Sequence, residues 1–307
     1  MTLPIIIDTD PGVDDAMAIL YALAAPEVDL IGLTSVYGNV PGALAAANAL
    51  RLVELAGADI PVAVGADGPR VQAPVGDATH VHGPAGFGTV SLPEPTRLAD
   101  PRSAPQFLAE NCAARPGEVT IVAVGPLTNL AAALDATPGI ASTVRSVIVM
   151  GGAVRCGGNV TPYAEANIWQ DPHAAERVFG ADWPVTLVGL DVTERITCTA
   201  ADLLPMVSAS PRTGAFLAEA AEFYFDFHRR TAEIDGCHLH DPAAVIAAHA
   251  PELFTTHAAP LAVTLDGEAV GQTREAPSGR PVEICLDADI EGVRAQFLCA
   301  LHAGWLP

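Results

Sequence analysis

The chain has 307 residues, 50% of them hydrophobic, and 36 acidic residues against 15 basic ones give a net charge of −21. Every basic residue is an arginine, which excludes a lysine Schiff base, a P-loop lysine and a lysine general base. So acidic a chain repels nucleic acid backbones and anionic membranes, and we expect neither as a partner.

Short apolar runs alternate with Ala-rich amphipathic segments along the chain. In the first part of the chain we predict strands at residues 3–7, 28–36 and 61–64, helices at 14–23 and 43–55, and then a loop region at 66–103. Next come helices at 104–113 and 127–134, strands at 119–124 and 146–150, and a glycine-rich loop at 151–158. The last part has helices at 172–179, 213–230 (the longest) and 292–302, and strands at 185–188, 257–265 and 282–286.

This alternation predicts an α/β fold with an open, mainly parallel central sheet, helices on both faces and a Rossmann-like core. No linker-like stretch divides the sequence, so residues 1–307 are predicted to form a single domain. The six cysteines are scattered without C-x-x-C spacing, as in a reduced protein. The N-terminus has no signal-peptide pattern. No apolar stretch reaches the ~20 residues that a membrane span requires. We therefore expect a cytoplasmic protein.

An acidic turn follows the first predicted strand in the stretch IIIDTDPGVDD, residues 5–15. In such sheets, ligands bind beyond the carboxyl ends of the strands. Asp14 and Asp15 can stabilise the start of a helix by about 0.3–1 kcal/mol each, which is the alternative hypothesis of solvated caps. That hypothesis does not explain Asp8 and Asp10. Because four close carboxylates repel one another, we favour a site for a hard cation with oxygen ligands.

Two other acidic motifs fit the stretch poorly. An EF-hand loop requires a glycine at its sixth position, and the glycine here is misplaced. A phosphatase of the haloacid dehalogenase type also places D-x-D after its first strand. Such enzymes usually add a lysine, which this chain lacks, and here Pro11 and Gly12 follow the D-x-D.

The segment DTDPGVDDAMAI closely resembles the N-terminal signature of the nucleoside hydrolases, the inosine–uridine-preferring family of N-ribohydrolases. Further family motifs follow in the expected order, namely YGNV, HVHG, VGPLTNLA, VIVMGG, GGNVTPYAEANIWQDPHAA, VGLDVT and HDP. Each motif is weak alone, and together they are highly specific. The resemblance implies the nucleoside hydrolase fold, a homo-oligomer (dimer or tetramer), and calcium-dependent cleavage of ribonucleosides into ribose and a free purine or pyrimidine base.

The resemblance also implies the ligands of a calcium ion. The carboxylates of Asp10, Asp15 and Asp241 and the backbone carbonyl of Val124 would contact Ca²⁺, while waters and ribose hydroxyls complete a shell of 6–8 oxygens. Asp10 would in addition take a proton from the attacking water as general base. Asp8 would orient the turn from behind the ligands.

The ribose is expected to contact a second group of polar side chains. The resemblance assigns Asp14, Asn159, Glu165 and Asn167 to the ribose hydroxyls, with Asn39 nearby. Taken alone, GNVTPYAEAN is better explained as a glycine-rich surface loop with ordinary turn residues. The accompanying motifs favour the sugar-binding role.

Histidines are expected around the leaving base. His240 adjoins Asp241 and corresponds to a histidine that the family's inosine–uridine group uses as a candidate acid. Its alternative role is to orient Asp241. His82 is expected on a loop near the base as a pocket residue.

Some positions depart from the family pattern, and they concern the base. Ala166 replaces the usual aromatic residue between the Glu and Asn of the motif. His228 stands where parts of the family have tyrosine and is expected to bind substrate, and His238 is an extra polar group. The loop at residues 76–92 carries Phe87, which could cover the base. These departures leave the choice between purine and pyrimidine open.

Other classes of function are disfavoured. A nucleoside- or ribose-binding protein without catalysis would not require Asp10, Asp14, Asp15 and Asp241 together. A metal-dependent phosphatase is disfavoured by the missing lysine and by the scarcity of basic residues for binding phosphate.

Overall fold

The computed structural model describes residues 2–304 and 306. Its strands, in chain order, are β1 Leu3–Thr9, β2 Val28–Ser35, β3 Val62–Val64, β4 Asp100–Ser103, β5 Thr120–Ala123, β6 Ser146–Met150, β7 Val185–Val188, β8 Thr197–Cys198, β9 Cys237–His238, β10 Phe254–Val263, β11 Thr273–Glu275 and β12 Pro281–Ala288.

The helices lie between these strands. They are α1 Val13–Ala24, α2 Gly42–Leu55, α3 Thr79–His82, α4 Ala104–Ala114, α5 Thr128–Ala136, α6 Ile140–Thr143, α7 Ala166–Gln170, α8 Pro172–Phe179, α9 Leu190–Thr193, α10 Ala200–Ala209, α11 Pro211–Thr231, α12 His240–His249 and α13 Ile290–His302, with a 3₁₀ turn at Pro251–Leu253.

Ten of the strands form one open sheet in the order β11-β10-β12-β7-β6-β5-β1-β2-β3-β4. All neighbours from β12 to β4 pair in parallel, whereas β10 pairs antiparallel with both β11 and β12 at one edge. Strands β8 and β9 form a separate antiparallel ribbon. The predicted open, mainly parallel sheet is confirmed.

Both faces of the sheet are buried, which explains why the central strands are continuous apolar runs. In β1, Ile5 and Ile7 belong to one hydrophobic cluster and Ile6 to the other, because successive side chains point to opposite faces. Helices α1, α11, α12 and α13 contribute to the first cluster, and α4, α5 and α8 to the second. The predicted helices on both faces are therefore present.

The functional loops follow from this parallel arrangement. β1 and β5 pair in register from Ile5 with Thr120 to Asp8 with Ala123, so Asp10 and Val124 leave the sheet at the same edge. The neighbouring strands β2 and β6 lead at that edge into the loops that carry Asn39 and Gly151.

Several short or atypical elements were not predicted from the sequence. The predicted loop at residues 66–103 was wrong in part, because it contains α3 and β4. Helix α12 was missed since eight of its ten residues are buried, which leaves no amphipathic period to detect. Helix α10 contains Pro205, and β8, β9 and β11 have only two or three residues each.

Within the described part of the chain, no helix is both long and apolar enough to cross a bilayer.

Candidate active site

A cleft of about 550 Å³ opens beyond the carboxyl ends of the central strands. One end is lined by carboxylates and amides and the other by aromatic and imidazole rings. The lining residues that were predicted from the sequence as site residues are Asp14, Asn39, His82, Val124, Asn159, Glu165, Asn167, His228, His240 and Asp241.

The acidic turn is held in place largely through Asp15. The Thr9 hydroxyl donates to Asp15 Oδ1 over 2.5 Å, and the Gly12 amide donates to Oδ2 over 2.9 Å. The Asp10 amide approaches Oδ1 at 3.3 Å. Asp15 is fully buried in the first turn of α1, so these donors partly compensate its charge. The Pro-Gly turn between β1 and α1 is thus shaped around one carboxylate.

Asn39 connects Asp10 with Asp15. Its backbone amide donates to Asp10 Oδ2 over 2.6 Å, and its side-chain amide donates to Asp15 Oδ2 over 3.0 Å. A Cβ at Gly38 would lie only 1.9 Å from Asp10 Oδ2, so the loop can approach only with glycine there. The Gly-Asn pair of YGNV therefore holds two carboxylates, and contact of Asn39 with ribose stays a prediction.

Asp8 lies beneath this turn, where it is fully buried. Its Oδ1 accepts hydrogen bonds from the Thr34 hydroxyl (2.5 Å) and the Asn129 amide (2.7 Å). Burial raises the pKa of Asp8 to about 7 despite these donors. Asp8 thus connects β1 to β2 and to the start of α5, in keeping with its expected supporting position.

Three carboxylates from two distant parts of the chain lie together, and two of them, Asp14 and Asp241, line the cleft. Among the described residues, one oxygen from each of Asp14, Asp15 and Asp241 lies within 4.8 Å of the other two. Asp241 comes from the first turn of α12. Asp10 lies beside this group and does not belong to it. The structure therefore brings together two of the predicted metal ligands and adds Asp14, which was expected to bind ribose.

The electrostatics of this cluster favour a cation. Burial, reinforced by neighbouring carboxylates, raises the pKa of Asp10 and of Asp241 well above the ordinary value. Burial also raises the pKa of Asp14 to about 6. The Oδ1 atoms of Asp10 and Asp14 are buried and have no hydrogen-bond partner among the described residues. An all-oxygen donor set with such free atoms fits a hard divalent cation.

Asn167 links the carbonyls at the ends of two strands. Its side-chain amide donates to the carbonyl oxygens of Val124 (2.9 Å) and Met150 (3.2 Å). The Val124 carbonyl, expected to bind the metal, retains a second lone pair. Both Val124 and Asn167 line the cleft.

Glu165 is held by backbone amides at the start of α7. Its carboxylate accepts from the amides of Gly152 (2.9 Å), Asn167 (2.9 Å) and Ile168 (3.1 Å). Asn159 Oδ1 accepts from the amide of Ala166 over 3.0 Å. These bonds orient the motif GNVTPYAEAN toward the cleft, and the ribose contacts of Asn159, Glu165 and Asn167 stay predictions.

Rings form the opposite wall of the cleft in a continuous series. His82 stacks on Tyr224 with ring centroids 5.2 Å apart, and Tyr224 meets His228 edge to face at 4.3 Å. His228 contacts His238 at 4.9 Å, and His238 contacts His240 at 5.2 Å. The Tyr224 hydroxyl also approaches Asp14 Oδ2 at 3.3 Å, which joins the ring wall to the carboxylate end.

His82 is docked onto the acidic turn. Its Nδ1 accepts a hydrogen bond from the Val13 amide over 3.2 Å. A Cβ at Gly12 would lie 2.7 Å from that nitrogen, so glycine is required for this contact. Burial lowers the pKa of His82 to about 4, which leaves the ring neutral near pH 7.

His240 lies next to Asp241 at the start of α12, as expected, with its Nδ1 2.8 Å from the Thr193 hydroxyl. Burial and the nearby rings of His238, His228 and His82 lower its pKa well below the ordinary value. The lowered pKa favours the neutral imidazole. If the Thr193 hydroxyl donates to Nδ1, Nε2 carries the proton that can bond to a leaving base.

One expectation about the base pocket was wrong. Phe87 is only 1% exposed and packs against Phe216 in the hydrophobic core, with ring centroids 5.2 Å apart, and does not line the cleft. Tyr224 and Glu194 line the cleft and were not predicted. The spacing of Tyr224 one helical turn before His228 was the available signal for the tyrosine, whereas no signal indicated Glu194.

An open α/β sheet with a carboxylate cluster beyond its strand ends and a ring-lined cleft is the arrangement of a binding site for a small ligand with polar and apolar parts. Comparison of the chain with known protein families identifies its class. Residues 5–295 match the family model described as "Inosine-uridine preferring nucleoside hydrolase". The chain belongs to this family, and it is an N-glycosyl hydrolase of ribonucleosides.

Known relatives resemble the chain over nearly its full length. "Uridine nucleosidase 1" of Arabidopsis thaliana is 40% identical over 302 residues, which cover 94% of this chain and 90% of the relative. The solved structure "Plant nucleoside hydrolase - PpNRh1 enzyme" superposes with a TM-score of 0.95 at 39% identity, covering 99% of this chain and 100% of that one. The "Purine-Preferring Ribonucleoside Hydrolase from Gardnerella vaginalis" gives 0.94 at 33% identity, covering 98% and 99%.

Proposed function

We propose that the protein is a calcium-dependent nucleoside hydrolase that cleaves the N-glycosidic bond of ribonucleosides to ribose and a free base. The observation that carries the calcium assignment is the meeting of Asp14, Asp15 and Asp241 at one end of the cleft. The buried oxygens without partners on Asp10 and Asp14 support it. The family membership supports the hydrolytic reaction.

We propose that Asp10, Asp15, Asp241 and the Val124 carbonyl hold the ion and that Asp14 faces the sugar. Bound Ca²⁺ would supply positive charge that acidifies a water molecule and orients ribose hydroxyls. The position of Asp14 within the carboxylate cluster makes it the competing ligand. Calorimetric titration of Asp10→Asn and Asp14→Asn with CaCl₂ separates the two assignments, because the true ligand loses far more affinity.

The remaining chemistry is assigned to the chain's own groups. Cleavage of an N-glycosidic bond passes through an oxocarbenium-like transition state, whose positive charge the carboxylates stabilise. Asp10 takes the proton of the attacking water. Asp14, Glu165 and Asn167 hold the ribose hydroxyls, with Asn159 and Asn39 nearby, and His240 faces the departing base. The rings of His82 and His228 enclose that base.

The relatives are named for different bases. One relative is named as a uridine nucleosidase and one neighbour as purine-preferring. Measuring kcat/KM for inosine, adenosine, uridine and cytidine tests both purine and pyrimidine nucleosides as substrates. The same panel, followed by free ribose, tests the function itself. Binding without ribose release would favour a nucleoside-binding protein, and activity only on phosphorylated substrates would favour a phosphatase.

We further propose that the protein is cytoplasmic and forms a homo-oligomer. All six cysteines are free, which supports a reducing compartment. The resemblance to the family supports a dimer or tetramer. Light scattering during size-exclusion chromatography should give a multiple of the 31.6 kDa chain mass, and a monomer would contradict the assembly.

A further inference from the structure

Two buried cysteines lie opposite each other in the small ribbon formed by β8 and β9. Cys198 pairs directly with Cys237 in the antiparallel register. Directly opposite residues point their side chains to the same face of such a pair, and their Cα atoms are about 4.5–5.5 Å apart. A disulfide requires Cα atoms separated by about 4.4–6.8 Å, so the register brings the two thiols within bridging range.

The hydrogen bonds of the ribbon indicate how far the strands would have to move. The Leu239 amide donates to the Ile196 carbonyl over 2.8 Å, so these two residues form a hydrogen-bonded pair. Such pairs alternate with unbonded ones along an antiparallel ladder, so Cys198 and Cys237 also form a hydrogen-bonded pair. The Cβ atoms of such a pair are about 5.5 Å apart, whereas a disulfide needs about 3.5–4.5 Å. A disulfide would therefore draw the two strands together by about 1 Å.

Strand β8 is anchored on both sides of Cys198, whereas β9 is the strand that carries a cleft residue. Arg294 Nε donates to the carbonyl oxygen of Thr197 over 2.8 Å. The amide and the hydroxyl of Thr199 both donate to Asp202 Oδ2 over 2.8 Å at the start of α10. The approach therefore has to be made by β9, and it would move His238, which lines the cleft.

The two thiols are protected while the ribbon is closed. Cys198 is 1% exposed and Cys237 is fully buried. Burial raises the pKa of Cys198 to about 12 and that of Cys237 well above its ordinary value, so both stay protonated and react slowly. The ribbon has only two residue pairs, and the turn before β9 holds Glu233 at a φ of 57°, which is disfavoured for a residue with a Cβ atom. Local opening of this turn is therefore the step that admits a small oxidant.

The cysteine pair is connected with the cleft in two ways. It closes the segment 199–236, which contains α10 and α11 and thus Tyr224 and His228 of the ring wall. The Cys237 thiol also lies close to both ends of the cleft. After burial, the Cys198 thiol and Asp14 contribute to raising the pKa of Cys237, and Asp14 and Cys237 contribute to raising that of Tyr224. A shift of β9 therefore reaches the residues that line the cleft.

We propose that Cys198 and Cys237 form a reversible disulfide in the presence of hydrogen peroxide and that this bond lowers the activity of the enzyme. Peroxide oxidises one thiol to a sulfenic acid and releases water. The second thiol then attacks the sulfenic sulfur, which forms the S–S bond and releases a second water, so two electrons pass from the thiols to one peroxide. An excess of a small dithiol reverses the reaction. The loss of activity rests on the proposed hydrolase function, whereas the disulfide does not.

The test uses the full chain with Cys156→Ser and Cys299→Ser, which removes the two exposed cysteines. The protein is treated with hydrogen peroxide, the excess is destroyed with catalase, free thiols are alkylated, and the peptides are identified by mass. We expect a peptide pair joined through Cys198 and Cys237, together with a fall in kcat/KM of about 10- to 100-fold, the effect of a displacement of about 1 Å near the reacting groups. Dithiothreitol should restore the activity. A fall in activity without the joined peptides, or joined peptides with unchanged kcat/KM, would overturn the proposal.

Matched variants in the same background separate this bond from other oxidation. Cys198→Ala should keep its kcat/KM after peroxide treatment, whereas Cys112→Ala, which removes a buried cysteine of α4, should still be inactivated. Reversible inactivation of Cys198→Ala to the same extent would overturn the proposal.

One measurement remains decisive if Cys198→Ala fails to fold. The urea midpoint of the oxidised protein should rise and return on reduction, because the bond restricts the unfolded chain. An unchanged midpoint would count against the bond. If the untreated protein hydrolyses no nucleoside at all, the proposed function itself fails, and the joined peptides still decide the disulfide.

Discussion

Raising the pH of the calcium-free protein should weaken its fold, and calcium should restore it. Burial raises the pKa of Asp14 to about 6 and, with help from neighbouring carboxylates, raises those of Asp10 and Asp241 further. A carboxyl group with a raised folded pKa binds more protons when folded. Its destabilising effect is absent below the unfolded pKa and grows as the pH rises toward the folded pKa.

Over part of the same pH range, buried histidines have the opposite effect on the stability of the fold. Burial lowers the pKa of His82 and of His238 to about 4, so these rings destabilise the fold as the pH falls below the ordinary histidine pKa of about 6.5. A simple pH profile of stability therefore mixes the two effects. The difference between calcium-bound and calcium-free protein reports mainly on the carboxylates, because they would contact the ion directly.

The magnitude follows from proton release. Burial raises the pKa of both Asp10 and Asp241 well above the ordinary value, so a calcium ion that binds them should displace a proton wherever one of them is still protonated. One displaced proton changes the calcium affinity about 10-fold per pH unit, or about 1.4 kcal/mol. The calcium affinity, and with it the stabilisation by calcium, should therefore rise with pH until the metal-free carboxyl groups are ionised.

Calorimetric titration with CaCl₂ in buffers of different ionisation enthalpy measures both affinity and released protons. Urea unfolding with calcium or with chelator measures the stabilisation at each pH. Asp241→Asn should weaken calcium binding and flatten its pH dependence, whereas Glu94→Gln, on the surface beside Arg51, should change neither. A calcium affinity that stays constant from pH 5 to pH 8 would refute the reasoning.

Three predictions concern catalysis. Asp10→Ala should abolish hydrolysis because it removes the proposed general base and metal ligand together, and measurable ribose release would contradict both roles. Asn167→Ala should cost about 2–4 kcal/mol in kcat/KM for every ribonucleoside alike, and 2′-deoxyribonucleosides should be poor substrates because a lost hydroxyl leaves buried polar groups unpaired. His240→Ala should lower kcat on natural nucleosides by about 10²- to 10³-fold but leave p-nitrophenyl riboside nearly unaffected, since that leaving group departs without a hydrogen bond from the neutral imidazole. Equal slowing of both substrates would indicate that His240 orients Asp241.

The sequence predicted the carboxylate end of the site better than the ring wall, for a physical reason. Asp10 and Asp15 lie in one short turn after the first strand, so the acidic stretch and the strand assignment were enough to indicate a cation site there, whereas Asn39 was assigned through the family resemblance. Asp241 could be assigned only through the family resemblance. Its helix has no amphipathic period, and no local pattern connects it with residues at the start of the chain.

The ring wall depends on tertiary packing that no local pattern specifies. Phe87 was expected to cover the base because it lies on a glycine-rich loop, but it is buried in the apolar cluster beside Phe216. His238 projects from a two-residue strand that pairs with another two-residue strand distant in sequence. Which of these rings face the cleft could therefore be determined only from the structure.

The two ends of the cleft are built by different kinds of element. Turns after parallel strands and the first turn of α12 form the carboxylate end. In these turns, neighbouring atoms leave no room for a Cβ atom at Gly12 or Gly38. The ring wall is formed largely by side chains of α11 and the β8–β9 ribbon, where His228 can change without moving a strand. This division is consistent with relatives that are named for uridine and for purines and yet resemble one chain. The base preference of this chain should accordingly follow His228 and its neighbours, while Asp15 and Asp241 should affect all nucleosides equally.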